Sequence, residues 1–408
     1  MRPLGLTDTI FYHLGDCYIT GVAVLDGPCN LALLLAEFEG VLAELPALAE
    51  RPVRVGLWSF AQFVGPLDLS EHVAIFRDPS VTTLEEAIPR LERLRRNPIG
   101  RDGPPWRIFV LNPEEPGKPA TGPAPLSAIY LQVRHGLADA MRGLQILGRM
   151  SGYEEATPAH EALALRLPVV DPGDLPDRIP VHDVGISILQ VERRVMSREG
   201  EASERMTAVA ATAVADESLF PHARPLRGNV GRTRFVRRRG PRNGVGNHMK
   251  MVTVRTGTAE TRRRFRIPGL SRAQDLPLSQ WLIALAPRAL GRRLMRLWYS
   301  SFDAVATLVP LPRHMRLGGR AVTSVFGVPP LWGPVPLVLV ALADGEHYHV
   351  TVIPGQGFTK DRQVLLDRLR GLFGPEEAAS AIEAPAPAGA GVAKTREPRG
   401  SPAFAKGR

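Results

Sequence analysis

The chain has 408 residues, 44% of them hydrophobic, and a formal net charge of +10. This length exceeds what one hydrophobic core usually serves, so two packed subdomains are expected. The sequence has no apolar run of the roughly twenty residues that span a bilayer, and no signal-peptide pattern. Its two cysteines, Cys17 and Cys29, make neither a disulfide framework nor a zinc site. The sequence therefore predicts a cytoplasmic chain with free thiols.

Helical and strand patterns alternate through the first half. Asn30 is a candidate N-cap, and apolar residues recur after it at intervals of three and four, which predicts an amphipathic helix. Pro89 is expected to kink a second helix. The predicted elements are strands over 16–26, 106–112 and 127–134, and helices over 30–46 and 83–97. This alternation predicts an α/β fold.

The second half is separated from the first by a proline-rich stretch without periodicity. Strands are predicted over 247–255 and 347–355, and helices over 279–300 and 360–374. The composition after Gly374 is too poor in apolar residues to offset the entropy of ordering. We therefore predict an N-terminal subdomain over 1–167, a linker or crossover over 168–185, a C-terminal subdomain over 186–374 and a disordered tail over 375–408.

The positive charge is concentrated in the third quarter of the chain, in Arg224–Arg242, Arg262–Arg266 and Arg292–Arg296. Such runs suit an anionic partner, either a CoA or a phospholipid surface, and they also suit a solvated basic face. The helix predicted over 279–300 mixes arginines with leucines and tryptophans. It is typical of a helix lying on an anionic lipid surface, or of a core helix with an arginine face. Nucleic acid is not expected as a partner, because the basic runs lack interleaved aromatics, a zinc-finger pattern and the RRM signature.

A histidine stands where a predicted strand ends and a helix begins, in the stretch Tyr130–Leu147, "YLQVRHGLADAMRGLQIL". Asp139 can accept the first free N–H groups of that helix. His135 therefore lies at a strand end, where ligand clefts of open α/β sheets lie, and a neutral imidazole there can take a proton from an alcohol or amine. It is also a common place for a histidine that serves only polar packing.

Other candidate sites are weaker. His347 and His349 share one face of a predicted strand, but no third ligand is evident, so a solvent-facing pair is favoured and no metal is expected. The serines lack the nucleophile elbow of a hydrolase. No phosphate loop or dinucleotide fingerprint is present.

The residues from Arg134 to Ala140 resemble the H-H-x-x-x-D-G signature of the CoA-dependent acyltransferase superfamily, which includes chloramphenicol acetyltransferase, condensation domains and the bacterial wax ester synthase/diacylglycerol acyltransferases. His135 and Asp139 match that signature. Arg134 stands where the family has its first histidine, and Ala140 where it has the final glycine.

Other segments resemble the wax ester synthase branch in the same order along the chain, over about residues 6–373. They are "LTDTIFYHL" (matching Asp8 and Phe11), "LDLSEHV" (Asp68, His72 and Val73), "GPPW" (Pro104 and Trp106), "GVGNHMKMVTV" (Gly246 and Asn247) and "TSVFGVPPL" (Val325 and Gly327). A helical stretch with an Asn-Asp pair, which the family carries before Asn247, is missing here. The chain thus resembles a diverged or reduced member.

The resemblance implies two chloramphenicol-acetyltransferase-like α/β subdomains with mixed sheets and a cleft between them. It implies that His135 is the general base, that Asp139 is structural beside Arg134 and Ala140, and that Asn247 contributes to substrate binding. A guanidinium beside His135 would lower the pKa of its imidazole, unless Arg134 points to the opposite face of the strand.

The implied function is acyl-CoA-dependent O-acyl transfer to an alcohol acceptor, of the wax ester or triacylglycerol synthase kind. Acyl-CoA is the co-substrate, a lipid alcohol is the acceptor, and no resident cofactor or metal is implied. An anionic membrane or lipid-droplet surface is a further candidate partner, with the protein then peripheral at the membrane. The alternatives are a catalytically impaired acyl-CoA or lipid-binding descendant and a condensation-type acyltransferase of natural-product assembly.

Overall fold

A computed structural model describes most of the chain. The described residues are 1–4, 8–11, 18–55, 58–96, 106–114, 125–135, 150, 155–171, 186–196, 199–221, 226, 228–235, 249–255, 283, 285–311, 314–329, 335–343, 347–355, 358 and 361–374. The predicted tail over 375–408 lies outside them.

Sixteen strands and seven helices can be bounded within this part of the chain. The strands are β1 Arg2–Pro3, β2 Tyr18–Leu25, β3 Glu50–Val55, β4 Trp58–Phe63, β5 Val73–Phe76, β6 Trp106–Leu111, β7 Ala128–Arg134, β8 Val169–Val170, β9 Ser187–Glu192, β10 Asn229–Phe235, β11 Met249–Arg255, β12 Ala304–Pro310, β13 Arg316–Leu317, β14 Arg320–Val328, β15 Leu337–Ala343 and β16 His347–Pro354. The helices are α1 Leu31–Glu44, α2 Leu84–Arg96, α3 Pro158–Ala164, α4 Arg193–Met196, α5 Glu199–Ala215, α6 Arg288–Tyr299 and α7 Arg362–Phe373. No helix among the described residues is long and apolar enough to cross a bilayer.

The N-terminal half is built on a seven-stranded mixed sheet in the order β13-β14-β2-β7-β6-β5-β8. β2, β7 and β6 are antiparallel neighbours, whereas β5 runs parallel to both β6 and β8. Helix α1 covers one face of the sheet through the buried residues Leu34, Leu35 and Phe38. Helix α2 covers the other face through Leu91 and Leu94. Successive strand residues point to opposite faces, so each strand contributes to both cores.

The C-terminal half is built on a six-stranded mixed sheet in the order β11-β10-β12-β15-β16-β9. One face packs against α5 and α7 in a core that contains Met206, Tyr348 and Leu369. Apolar residues on the other face, among them Val340 and Ile353, belong to the core that also contains α1 and the N-terminal sheet. The two sheets are therefore held together by one continuous apolar core.

A hairpin from the second half completes the first sheet. β13 and β14 lie within the predicted C-terminal subdomain, yet β14 pairs antiparallel with β2 of the N-terminal half. Gly318 and Gly319 form the turn of this hairpin with φ of 54° and 77°, a left-handed conformation that favours glycine. The structure confirms the predicted α/β class with two mixed sheets.

Residues that favour or break helices determine where two of the helices begin. Asn30 caps α1, because its side-chain oxygen accepts a hydrogen bond from the Leu33 N–H at 3.1 Å. The helix predicted over 279–300 is interrupted: Ile283 and Leu285 are helical, but α6 begins anew at Arg288 directly after Pro287, which cannot donate a backbone hydrogen bond. Part of the predicted linker, Val169–Val170, forms β8 beside β5.

Candidate active site

His135 follows directly after the last residue of β7 and is buried, with 3% of its surface exposed. Its imidazole stacks on the ring of Phe11, with 3.8 Å between ring centroids and an interplanar angle of 15°. Phe11 is itself buried and belongs to a helical turn over residues 8–11. The stacked ring fixes the plane of the imidazole, which a general base needs in order to point a lone pair at its acceptor.

Arg134 and the histidine that follows it contact different aromatic rings. Arg134 is in register with Tyr18 of β2, and its guanidinium carbon lies 5.9 Å from the centroid of the Tyr18 ring. His135 instead stacks on Phe11. Residues 134 and 135 thus lean to opposite faces of the sheet, the arrangement that strand alternation allows.

A second buried histidine, His72, packs beside the same part of the sheet. Its Nδ1 donates to the Trp106 carbonyl oxygen at 3.2 Å, because a carbonyl can only accept, and its ring lies 4.5 Å from the Trp106 ring. Burial lowers the pKa of His72 below its usual range, against the opposing effect of the bond to Trp106. The Trp106 indole N–H donates to the Leu48 carbonyl at 2.8 Å. Burial therefore favours the neutral form of His72, whose ring is hydrogen-bonded to and packed on Trp106.

These contacts join segments that are distant in sequence. Phe11, from the segment resembling L-S-x-x-D-x-x-F, meets His135 of the motif. His72 and Trp106, from two other matching segments, meet each other. In the same strand ladder, Gly327 of the last matching segment pairs with Gly21 of β2. The structure thus brings these three pairs of matching residues together within the N-terminal sheet and the turn that packs on it.

Glu37 is a buried carboxyl that sequence reasoning missed. It lies on α1, is 2% exposed, and accepts a hydrogen bond from the Gly318 N–H of the crossing hairpin at 2.9 Å. Burial raises the pKa of Glu37 to about 7, and the Gly318 bond opposes this rise. The signal was its position: Glu37 follows Leu34 by three residues and precedes Val41 by four, which places it on the apolar stripe of the helix.

An apolar cavity lies on the face of the N-terminal sheet that α2 covers. Its volume is about 10 Å³, and Thr20, Tyr130, Leu91 and Phe326 are among the residues that line it. This is room for about one water molecule. An acyl chain does not fit there.

Several predicted site residues fall outside the described part of the chain: Asp139, Ala140 and Asn247. The predicted pair His347 and His349 can be placed on β16, where His349 is 5% exposed. It is buried rather than solvent-facing, because its face of β16 turns toward the core shared by the two sheets. Within the described residues, no group of three or more metal-ligating side chains occurs.

No protein-family model matches the sequence, and no curated protein is significantly similar to it. Solved structures do match. The wax ester synthase/diacylglycerol acyltransferase of Marinobacter aquaeolei VT8 has a TM-score of 0.54 at 15% identity, over 93% of this chain and 100% of that one.

Two condensation domains match to the same degree. The first condensation domain of the calcium-dependent antibiotic synthetase has a TM-score of 0.56 at 14% identity, over 94% of this chain and 99% of that one. A starter condensation domain of rhizomide synthetase, solved with C8-CoA and Leu-SNAC, has a TM-score of 0.54 at 12% identity, over 91% and 92%. The chain therefore has the same two-subdomain fold as these acyltransferase and condensation-domain structures.

Proposed function

We propose that the protein is an acyl-CoA-dependent O-acyltransferase whose acceptor is a lipid alcohol. The observation that supports this most is His135: a histidine in the motif position of the base, held at a strand end with its ring plane fixed by Phe11. The fold match to an acyltransferase over the whole of that protein's length agrees with it.

In the proposed reaction, His135 takes the proton from the acceptor hydroxyl as its oxygen attacks the thioester carbonyl carbon. The carbon–sulfur bond then breaks, and the imidazolium returns the proton to the leaving thiolate, so that free CoA and the ester are the products. General base catalysis of this kind contributes about 10²- to 10⁴-fold.

The test is turnover with purified full-length protein, long-chain acyl-CoA and a fatty alcohol or diacylglycerol, measured as free thiol and as ester. We expect His135→Ala to lower the rate by about 10²-fold or more while acyl-CoA still binds. His160→Gln is the matched control, since His160 lies on α3, where it pairs with Glu39. Equal rates for His135→Ala and the native protein would refute the assignment of the base.

The same assay separates the alternatives. Acyl-CoA binding without turnover, in the native protein and in the Arg134→His/Ala140→Gly variant that restores the family motif, would identify a catalytically impaired binder. Condensation domains match with TM-scores as high as that of the wax ester synthase, so the assay should also include a condensation substrate pair. Turnover only with carrier-bound acyl groups and an amine acceptor would identify condensation chemistry.

We also propose that α6 seats the protein on an anionic lipid surface. Met295 and Tyr299 are buried, while Leu290 and Leu297 are 48% and 67% exposed. The remaining exposed positions of this helix include Arg292, Arg293 and Arg296. At about 3.6 residues per turn, these arginines and leucines form one continuous sector of the helix surface that leaves out Met295. Exposed leucines beside arginines suit the boundary between headgroups and acyl chains.

Charge reversal of Arg292, Arg293 and Arg296 to glutamate tests this surface by flotation with vesicles containing phosphatidylserine. We expect binding to fall by at least about tenfold at low salt, since each basic residue near an anionic surface contributes about 1 kcal/mol. The same change at Arg51, Arg54 and Arg77 is the control for net charge. Equal losses in the two triple variants would mean that charge, rather than this face of α6, drives binding.

A further inference from the structure

One end of β2 is partly exposed, although β2 is an interior strand that pairs with β7 on one side and with β14 on the other. Ile19 and Gly21 are partly exposed, whereas Thr20 and Val22 are 0% and 1% exposed. Successive strand residues point to opposite faces, and Thr20 points to the face that α2 covers. The exposure of Ile19 and Gly21 therefore lies on the other face of the sheet.

This partly exposed face is the one that carries His135. On β7, Leu131 is directly opposite Gly21, and Val133 is directly opposite Ile19. Both β7 residues belong to the apolar core that the two sheets share. His135 comes next in the same alternation along β7. The open face of β2 thus leads along the strands to the proposed base.

The space above Gly21 is open on this face. Among the described residues, no atom lies within 4 Å of the position that a β-carbon on Gly21 would take. Its partner on β14, Gly327, is covered, because a β-carbon there would lie 3.3 Å from Leu342 Cδ1 of the second sheet. Ala23, two residues further along β2, is 1% exposed. The open space is therefore closed by the second sheet beside β14 and by the core at Ala23.

The dimensions and chemistry of this groove suit an alkyl chain. Neighbouring strands lie about 4.8 Å apart, so a gap over β2 alone is narrow. The four residues from Leu131 to His135 span about 13 Å at the usual rise of a strand. The residues of β2 and β7 on this stretch of the face are apolar: Ile19, Gly21, Leu131 and Val133. A polar ligand would lose its solvation here without compensation, whereas an alkyl chain gains by burial.

We propose that this face of β2 binds one unbranched alkyl chain with its reactive end at His135, and that Gly21 sets the length of chain that fits. The backbone at Gly21 does not require glycine, since its φ is not positive. A glycine inside a strand weakens the strand, and it commonly marks a place where a ligand approaches the backbone closely. The missing side chain at position 21 then has a physical role, because it leaves room for the far end of the chain.

Two substrates could supply the chain, and this part of the inference rests on the proposed function. The thioester donor and the alcohol acceptor each carry an alkyl chain. The groove itself is independent of the reaction, because a free fatty acid can occupy it. Binding of fatty acids therefore tests the groove, and turnover with donors and acceptors of different lengths identifies the source of the chain.

Binding of laurate and hexanoate is measured by calorimetry for the native full-length protein, Gly21→Ala and Gly21→Leu. Gly27→Leu is the matched control, since Gly27 lies beyond the end of β2, where a β-carbon would make an ordinary 3.7 Å contact with Arg320. We expect Gly21→Leu to bind laurate at least about tenfold more weakly, since each buried methylene that the leucine displaces is worth about fourfold in affinity. Gly21→Ala should show a smaller loss, and hexanoate should bind all four proteins equally.

Thermal unfolding controls for the fold, because a side chain added into open space should leave the Tm unchanged. Unchanged laurate binding in Gly21→Leu, or an equal loss for laurate and hexanoate, would overturn the groove. A lower Tm for both Gly21→Ala and Gly21→Leu would also overturn it, since the space would then already be filled.

Turnover is measured with lauroyl-CoA or hexanoyl-CoA and with dodecanol or hexanol. A rate that Gly21→Leu lowers only for lauroyl-CoA would assign the groove to the donor, and a rate that it lowers only for dodecanol would assign it to the acceptor. Laurate binding that Gly21→Leu weakens, without turnover in any protein, would support the groove and reject the proposed function. Turnover whose dependence on chain length is the same in Gly21→Leu and the native protein would support that function and reject the groove.

Discussion

The contact between α1 and the crossing hairpin should make folding stability depend on pH through one residue, Glu37. Its carboxyl is 2% exposed and accepts from the Gly318 N–H at 2.9 Å, so the charged form is desolvated with one hydrogen bond to offset it. Glu37→Gln removes the charge and keeps an amide oxygen that can accept the same bond. The perturbation therefore tests titration rather than shape.

The magnitude follows from the pKa of Glu37, which burial raises from 4.5 to about 7. One pKa unit is worth about 1.4 kcal/mol, so the full effect is about 3 kcal/mol. The folded state keeps the proton of the Glu37 carboxyl at a pH where the unfolded chain has lost it. The contribution of the protonated carboxyl to the free energy of unfolding is therefore fully present below pH 4.5. It falls as the pH rises to about 7 and stays lower above that.

The assay is urea unfolding of the native protein and Glu37→Gln from pH 4 to 8. We expect the free energy of unfolding of Glu37→Gln, relative to that of the native protein, to rise by about 3 kcal/mol from pH 4 to pH 8. The neighbouring thiol does not contribute, since burial raises the pKa of Cys29 to about 12. Glu44→Gln, exposed at the end of the same helix, is the control. A difference between native protein and Glu37→Gln that stays constant with pH would refute the reasoning.

Two more outcomes test the surroundings of the site. Gly318→Ala should cost at least about 1–3 kcal/mol by urea unfolding, because φ is 54° and a β-carbon would lie 2.9 Å from Cys29 Cβ. Gly21→Ala is the control and should be neutral, since no atom lies within 4 Å of its β-carbon. His72→Gln should reduce the loss of stability on acidification below about pH 6.5, because the native ring folds neutral. If the two proteins lost the same free energy of unfolding on acidification, the folded state would tolerate a protonated His72.

The parts of the fold that the sequence predicted are those specified by local chemistry. The Asn30 cap, the three-and-four spacing behind it and the alternation in β7 each act within a few residues. They predicted α1 and β7 almost to the residue. Pro287 is a local signal too, and it would have divided the helix predicted over 279–300 had it been given more weight than the apolar pattern.

What the sequence did not predict depends on contacts between distant residues. β14 pairs with β2 about 300 residues earlier, and nothing in either strand specifies its partner. For the same reason Glu37 was not recognised as a bond acceptor for Gly318, since the two meet only after the hairpin crosses. The His135 position at a strand end was predictable, whereas its stacking on Phe11 required the folded chain.

The altered motif has a simple physical interpretation in this fold. Positions 134 and 135 are adjacent in sequence, but one side chain lies over Tyr18 and the other stacks on Phe11, on opposite faces of the sheet. A substitution at 134 therefore changes the charge on the Tyr18 face of the sheet without removing the ring on which the proposed base stacks. This separation means that Arg134→His should change the rate per bound acyl-CoA little, measured as free thiol released by the purified full-length protein. If Arg134→His instead altered that rate by about 10²-fold, the two faces would be coupled, and the side chain at 134 would act on the proposed base.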